Sequence, residues 1–133
     1  MAANILVVDD DELTRELLYL HLSNAGYEVH LAEDGIAAGY AVLQKPFHLL
    51  LADIEMPFMD GFDLVRAIRG EPSAASMPVI FLTSNGEHED RAKQLGAAAF
   101  LRKPLHADQL LAAVAKHSSG TSSPLKRASA DRA

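Results

Sequence analysis

Acidic, hydroxyl and ammonium groups stand at four places in this chain: Asp9-Asp10-Asp11, Asp53, Thr83-Ser84 and Arg102-Lys103-Pro104. Brought together in a partly dry cleft, three carboxylates repel one another and raise some of their pKa values unless a cation neutralises them. Oxygen-only ligands select a hard cation, so Mg2+ (or Mn2+) is the expected occupant and a soft metal is not. Mg2+ keeps several waters and shares a phosphoryl oxygen, which leaves catalysis to positioning and charge compensation. An ionised Asp beside it can attack phosphorus and form an acyl phosphate. Lys103 would supply a point charge for incoming phosphoryl oxygens, and Thr83 a hydroxyl donor.

Each group also has a plainer reading. Asp10 or Asp11 can cap the helix that follows, and Ser84 or Asn85 the next one. Lys103 can be a solvated strand-end lysine. Asp53 resists such a reading: five of the six residues before it are apolar, and Ile54-Glu55-Met56-Pro57 after it does not start a helix. The joint placement favours one shared site.

That placement depends on the elements. A short apolar run, a loop and a helical pattern recur five times. Ile5 to Val8 precedes 12–24, where Leu13, Leu17 and Leu20 share a helical face. Tyr27 to Leu31 precedes 35–44, Phe47 to Ala52 precedes 61–70, Val79 to Leu82 precedes 87–95, and Ala98 to Leu101 precedes 106–117. Alternation at this spacing predicts an α/β fold, a doubly wound five-stranded parallel sheet with helices on both faces. The second run alternates apolar and polar residues, which marks an edge strand, whereas the first, third and fourth are continuously apolar. A flavodoxin-like order of 2-1-3-4-5 satisfies this and puts the ligand site where strands one and three diverge, with all the listed groups on one rim.

Composition narrows the classes. The chain has 133 residues, 49% of them apolar and 23% charged, enough for one domain with a single substantial core. It has no cysteine, so disulfides, thiolate metal sites and a cysteine nucleophile are excluded. A formal net charge of −6 argues against direct nucleic-acid binding by this domain. No apolar run reaches the ~20 residues of a membrane span, and the amino terminus does not read as a secretory signal. The expected location is cytoplasmic. The six histidines are scattered without metal-ligand spacing and read as surface or loop residues.

From Asn4 to about His117 the chain resembles the receiver domain of two-component response regulators. The resemblance rests on Ile5-Leu6-Val7-Val8-Asp9-Asp10, on Asp53-Ile54-Glu55-Met56-Pro57 with Met59-Asp60-Gly61, on Pro78 to Ser84, and on Phe100-Leu101-Arg102-Lys103-Pro104. It implies that Asp53 is the phosphoacceptor, that Asp10 binds Mg2+ directly, that Asp9 acts mainly through a metal-bound water, and that Glu55 contributes its backbone carbonyl. It implies Thr83 and Lys103 as phosphoryl-binding switch residues, Glu55 and Asn85 as positions that tune acyl-phosphate lifetime, and a cis bond before Pro104. Phe100 stands at the switch aromatic position. Lacking a hydroxyl, it is expected to prefer burial, either as a plain core residue of strand five or as a moving switch. The implied partners are a sensor histidine kinase or histidine phosphotransfer protein, and an output protein or second copy docking through residues 83–117. A signalling phosphoacceptor, rather than an enzyme, is expected.

The rival reading is a haloacid-dehalogenase-like phosphatase using Asp9, suggested by Asp9-x-Asp11, Thr83 and Lys103. It lacks the further acidic pair after a later strand and leaves Asp53 unexplained. A flavin-binding protein on the same sheet order fits less well, because Asp9 to Glu12 would repel a phosphate. The receiver is expected to span 1–117. Residues 118–133, rich in Ser and ending in Leu125-Lys126-Arg127 and a small polar stretch, read as a flexible tail or linker.

Overall fold

The continuous apolar runs become strands buried on both faces. In the computed structural model, which describes residues 2–119, strands β1 (Asn4–Val8), β2 (Glu28–Ala32), β3 (Leu49–Asp53), β4 (Val79–Thr83) and β5 (Ala99–Arg102) alternate with helices α1 (Glu12–Asn24), α2 (Gly35–Gln44), α3 (Gly61–Ile68), α4 (Glu89–Gln94) and α5 (Ala107–Ser119). All strand pairs are parallel and the order is β2-β1-β3-β4-β5, as expected. Strand periodicity then splits the core in two. Leu6, Val8, Leu50, Ala52, Val79 and Phe81 face α2 and α3, while Ile5, Val7, Leu49, Leu51, Ile80 and Leu82 face α1 and α5. Among the described residues no helix is long and apolar enough to cross a membrane.

The differences from expectation have local causes. β2 starts at Glu28 because Tyr27 still closes α1: its N–H bonds to the Leu22 carbonyl at 3.1 Å, after Gly26 at φ 98°. The stretch expected as a helix over 87–95 begins with a 3-10 turn at Gly86–His88, where the Asn85 side chain accepts the Glu87 N–H, and α4 itself has six residues. A further 3-10 turn at Pro72–Ala74 joins α3 to β4. α5 runs through Ser119 and so takes in the first two residues of the expected tail. The rest of that segment, including Lys126-Arg127, lies outside the described residues.

The leucines whose spacing marks α1 are not the ones that face the sheet. Leu13, Leu17 and Leu20 are 63%, 49% and 53% exposed, and the residues facing the sheet are Leu18 and Leu22, buried against Ile5, Val7, Leu110 and Val114. α1 carries two leucine rows, and periodicity cannot rank them. The direction in which the chain leaves β1 and the capping of α1 by Asp11 decide which row turns inward.

One glycine fixes the helix that starts beside Asp53. A Cβ on Gly61 would lie 2.5 Å from the Asp53 carbonyl oxygen and 3.0 Å from Ile54 Cα, so only glycine lets α3 begin against the end of β3. Gly39 in α2 has open space around the same position. In urea unfolding, Gly61→Ala should cost ~1–3 kcal/mol by overpacking. Gly39→Ala should be neutral or stabilise by about 0.5–1 kcal/mol.

Candidate functional site

Each site residue is set in place by backbone hydrogen bonds. The Asp9 N–H bonds to the Ala32 carbonyl at 3.2 Å, which holds Asp9 in line with β1, and its side chain is fully buried. Asp11 takes the capping role: its Oδ2 accepts the Thr14 N–H at 2.9 Å and the Thr14 hydroxyl at 2.6 Å. Those bonds hold the Asp11 carboxyl below its ordinary range. Asp10 is thereby left free for the rim, where it is exposed. Arg15 anchors the loop from behind, donating to the Asp9 carbonyl at 2.6 Å. Asp53 ends β3 and is 2% exposed. The Ile54 N–H bonds to the Leu82 carbonyl at 2.9 Å, and the Lys103 N–H to the Thr83 carbonyl at 2.8 Å, so three strand ends stay in register across the rim.

The charges converge as expected. One carboxylate oxygen each from Asp9, Asp10 and Asp53 lie within 4.8 Å of one another. Lys103 Nζ is 2.9 Å from Asp9 Oδ2 and 3.4 Å from Asp53 Oδ1. Those two buried oxygens accept no well-aligned hydrogen bond, so Lys103 serves them as a charge rather than as a directed donor. Burial, then the neighbouring Asp9 charge, push the Asp53 carboxyl up to about 7, against the opposing pull of Lys103. Burial works to lower the Lys103 ammonium, but the close contact with Asp9 and the charges of Asp53 and Asp9 outweigh it and hold Lys103 above its ordinary value. A single ammonium does not satisfy this donor set. Under-bonded, all-oxygen and acidic, it suits a hard divalent cation.

The β4 end carries an arrangement the sequence did not disclose. Thr83 is fully buried, and its hydroxyl lies 2.8 and 2.6 Å from the two carboxylate oxygens of Glu55. The same hydroxyl accepts the Asn85 N–H at 2.9 Å. Glu55 Oε2 in turn meets His88 Nε2 at 3.0 Å. His88, grouped above with surface histidines, therefore touches the site, a correction to that reading. No spacing signal could have found it, because the contact joins two separate loops, the one after β3 and the one after β4. Asn85 uses its side chain to bond the Glu87 N–H at 2.9 Å. Phe100 pairs with Phe81 across β4 and β5 and packs on the α2/α3 core, yet stays partly exposed because β5 is an edge. The Lys103–Pro104 peptide is cis. Gly86 is held close to Arg102, where a Cβ would lie 2.7 Å from the guanidinium.

Comparison with known proteins gives a consistent family. The model of the response regulator receiver domain matches residues 5–115. The chain is 40% identical over 119 residues to the transcriptional regulatory protein GltR of Pseudomonas aeruginosa, covering 86% of this chain and 49% of that protein. It is 40% identical over 109 residues to the sensor protein EvgS of Escherichia coli, covering 80% of this chain and 9% of that protein. The chain thus spans about half the length, or much less, of these curated relatives. Among solved structures, the chemotaxis protein CheY4 of Vibrio cholerae superposes with a TM-score of 0.83 at 32% identity, covering 88% of this chain and 99% of that one. The receiver domain of the sensor histidine kinase PA1611 of Pseudomonas aeruginosa, with a magnesium ion coordinated in its active-site cleft, gives 0.82 at 28% identity, covering 90% and 99%. None of these findings supports the phosphatase reading.

The raised Asp53 pKa has a stability consequence. Below its ordinary value of 3.8 both folded and unfolded chains carry the proton. As pH rises from there to about 7 the unfolded chain releases it first, so the cost of burying Asp53 grows across that window and stays beyond it. In metal-free solution, the stability gain of Asp53→Asn over wild type should therefore be small at pH 5 and reach on the order of 2 kcal/mol at pH 8. Thermal unfolding at both pH values measures it; an equal gain at both would show that ionised Asp53 is not the destabilising group.

Proposed function

Because the chain belongs to the response regulator receiver family, we propose that Asp53 accepts a phosphoryl group from a phosphohistidine donor beside a bound divalent cation, and that the new charge is relayed to the surface of α4, β5 and α5. The domain acts in phosphorelay signalling of the two-component type. The observation that carries the assignment to Asp53 is its burial at the end of β3, with Lys103 and Asp9 within one pocket and no structural hydrogen bond on Oδ1.

In this reading Mg2+, or Mn2+, would be held directly by Asp10 and Asp53 and by the Glu55 backbone carbonyl, with Asp9 acting mainly through water. When bound it neutralises the phosphoryl charge and keeps Asp53 ionised. The Asp53 carboxylate forms a bond to phosphorus as the donor's nitrogen–phosphorus bond breaks. The electron pair stays on the departing imidazole, which picks up a proton. Lys103 then pairs with a phosphoryl oxygen in place of the Asp53 oxygen it faces in the unmodified domain. Glu55 and Asn85 flank the water approach and tune the lifetime of the product. Self-phosphorylation from small donors and slow self-dephosphorylation are the only chemistry proposed, so the domain is a switch rather than an enzyme.

Charge on Asp53 must bias an element with two arrangements. Thr83 is that element's trigger: its hydroxyl reaches inward to a phosphoryl oxygen, and Phe100 moves toward the vacated space. The partners are a sensor histidine kinase or histidine phosphotransfer protein and an output protein or second copy docking through residues 83–117. The domain works in the cytoplasm, without direct contact to nucleic acid. The names of the relatives, a sensor protein and a transcriptional regulator, support partners of these kinds.

Intact-mass analysis with acetyl phosphate should show one added phosphoryl group on wild type, none on Asp53→Asn, and none after chelation of the metal. Label on Asp53→Asn, or loss of phosphoester turnover in Asp9→Asn, would return the phosphatase reading. In a Mg2+ titration, Asp10→Asn should weaken affinity by at least about tenfold and more than Asp9→Asn, because a direct ligand outweighs a water-mediated one. An acyl-phosphate mimic should shift amide signals mainly in residues 83–110, and Thr83→Ala should blunt the shift. Changes concentrated in β2 and α2 would refute this route.

A further inference from the structure

Phosphoryl binding and carboxylate binding compete for one proton. The Thr83 hydroxyl has a single hydrogen, and in the unmodified domain the Glu55 carboxylate takes it at 2.6–2.8 Å. The lone pair facing the backbone is already used by the Asn85 N–H. Thr83 therefore cannot donate to a phosphoryl group on Asp53 until Glu55 lets go. Glu55 alone would be a poor latch, since its side chain is 44% exposed and free to rotate into water. What fixes it is His88, whose Nε2 lies 3.0 Å from Oε2. Both the neutral Nε2–H tautomer and the imidazolium donate in that geometry.

The imidazole is itself fixed. Its ring stands edge-on to Phe62 with centroids 5.6 Å apart, and Phe62 is fully buried against Phe81, the β4 neighbour of Phe100. Arg91 covers Phe62 with its guanidinium 4.5 Å from the ring centroid. The 3-10 turn that carries His88 is closed by the Asn85 cap, directly after Thr83. A rigid aromatic shelf thus aims one donor at the carboxylate that restrains the switch hydroxyl.

We propose that His88 is a positioning residue for the switch: by pinning Glu55 on Thr83 it sets how readily the hydroxyl passes to a phosphoryl group on Asp53. The inference rests on the phosphoacceptor reading of Asp53 and adds a restraint that this reading does not contain. The same contact also links the pocket to the start of α4. When Thr83 leaves Glu55, the carboxylate is held by His88 alone, and the turn at Gly86–His88 loses its tie to β4 through that chain.

The test is beryllofluoride binding with Mg2+, followed by amide shifts of the 83–110 region in the full chain. His88→Ala should tighten half-saturation about three- to tenfold, the factor expected for one lost hydrogen bond of ordinary net strength at a half-exposed carboxylate. His88→Gln, which keeps an amide donor, should restore the wild-type value. In the Thr83→Ala background, His88→Ala should change nothing, because no hydroxyl remains to be released. An unchanged midpoint in His88→Ala, or the same change with and without Thr83, overturns the proposal. A second measurement needs no phosphoryl analogue: in the unmodified protein, Thr83→Val should move the His88 imidazole 15N–1H signals, since the shared carboxylate is freed. Unmoved signals overturn the latch even if His88→Ala fails to fold. Wild type that binds no beryllofluoride would instead count against Asp53, and the imidazole measurement would still decide the latch.

Discussion

Two buried carboxylates, Asp9 and Asp53, face one ammonium across the end of the sheet. That imbalance is the constraint on which the rest depends. Burying a charge is costly unless it is paired and hydrogen-bonded, and here two oxygens remain without directed donors. The pocket is thereby biased toward a divalent cation and toward a phosphoryl group whose oxygens Lys103 can meet. It also keeps the Asp53 carboxyl close to neutral pH in its titration when no cation is present. The fold tolerates the cost because the strands beneath are buried without exception: every residue of β3 and β4 is inaccessible to solvent or nearly so.

Parallel strands give the site its geometry. A parallel sheet delivers every carboxyl end to one rim, and the switch between β1 and β3 opens a crevice there. Asp9 and Asp53 leave adjacent strands, while Thr83 and Lys103 leave the next two and are tied by the Lys103 N–H to Thr83 carbonyl bond. Gly61 then brings α3 hard against Asp53, which fixes the floor of the pocket and the Phe62 shelf together. Chemistry and signal relay therefore share a wall.

In the proposed relay, that sharing would let a small change of charge be felt at a distance. Close-packed interiors transmit displacement because they have no slack. Thr83 is fully buried and hydrogen-bonded on both sides, so it cannot drift; in the proposed switch it would exchange one partner for another. As proposed, a two-position hydroxyl coupled to Glu55, His88 and the turn before α4 would convert a covalent event at Asp53 into a choice between two packings.

The sequence by itself determined the element order, the sheet order and the identity of the rim residues, because strand and helix periods and strand-end positions are local properties of the chain. It marked β2 as an edge through alternation, and it left Asp53 with no structural task. The capping question between Asp10 and Asp11 stayed open, since both types cap equally well; the tertiary structure gave the cap to Asp11 and left Asp10 at the rim. Periodicity marked α1 as a helix but did not say which leucine row faces the sheet, because a helix with two apolar rows is turned by its neighbours and not by its own pattern. The contact of His88 with Glu55, and through it with Thr83, belongs wholly to the tertiary structure. The loops after β3 and β4, distant in sequence, meet there only after the sheet has brought those two strands side by side.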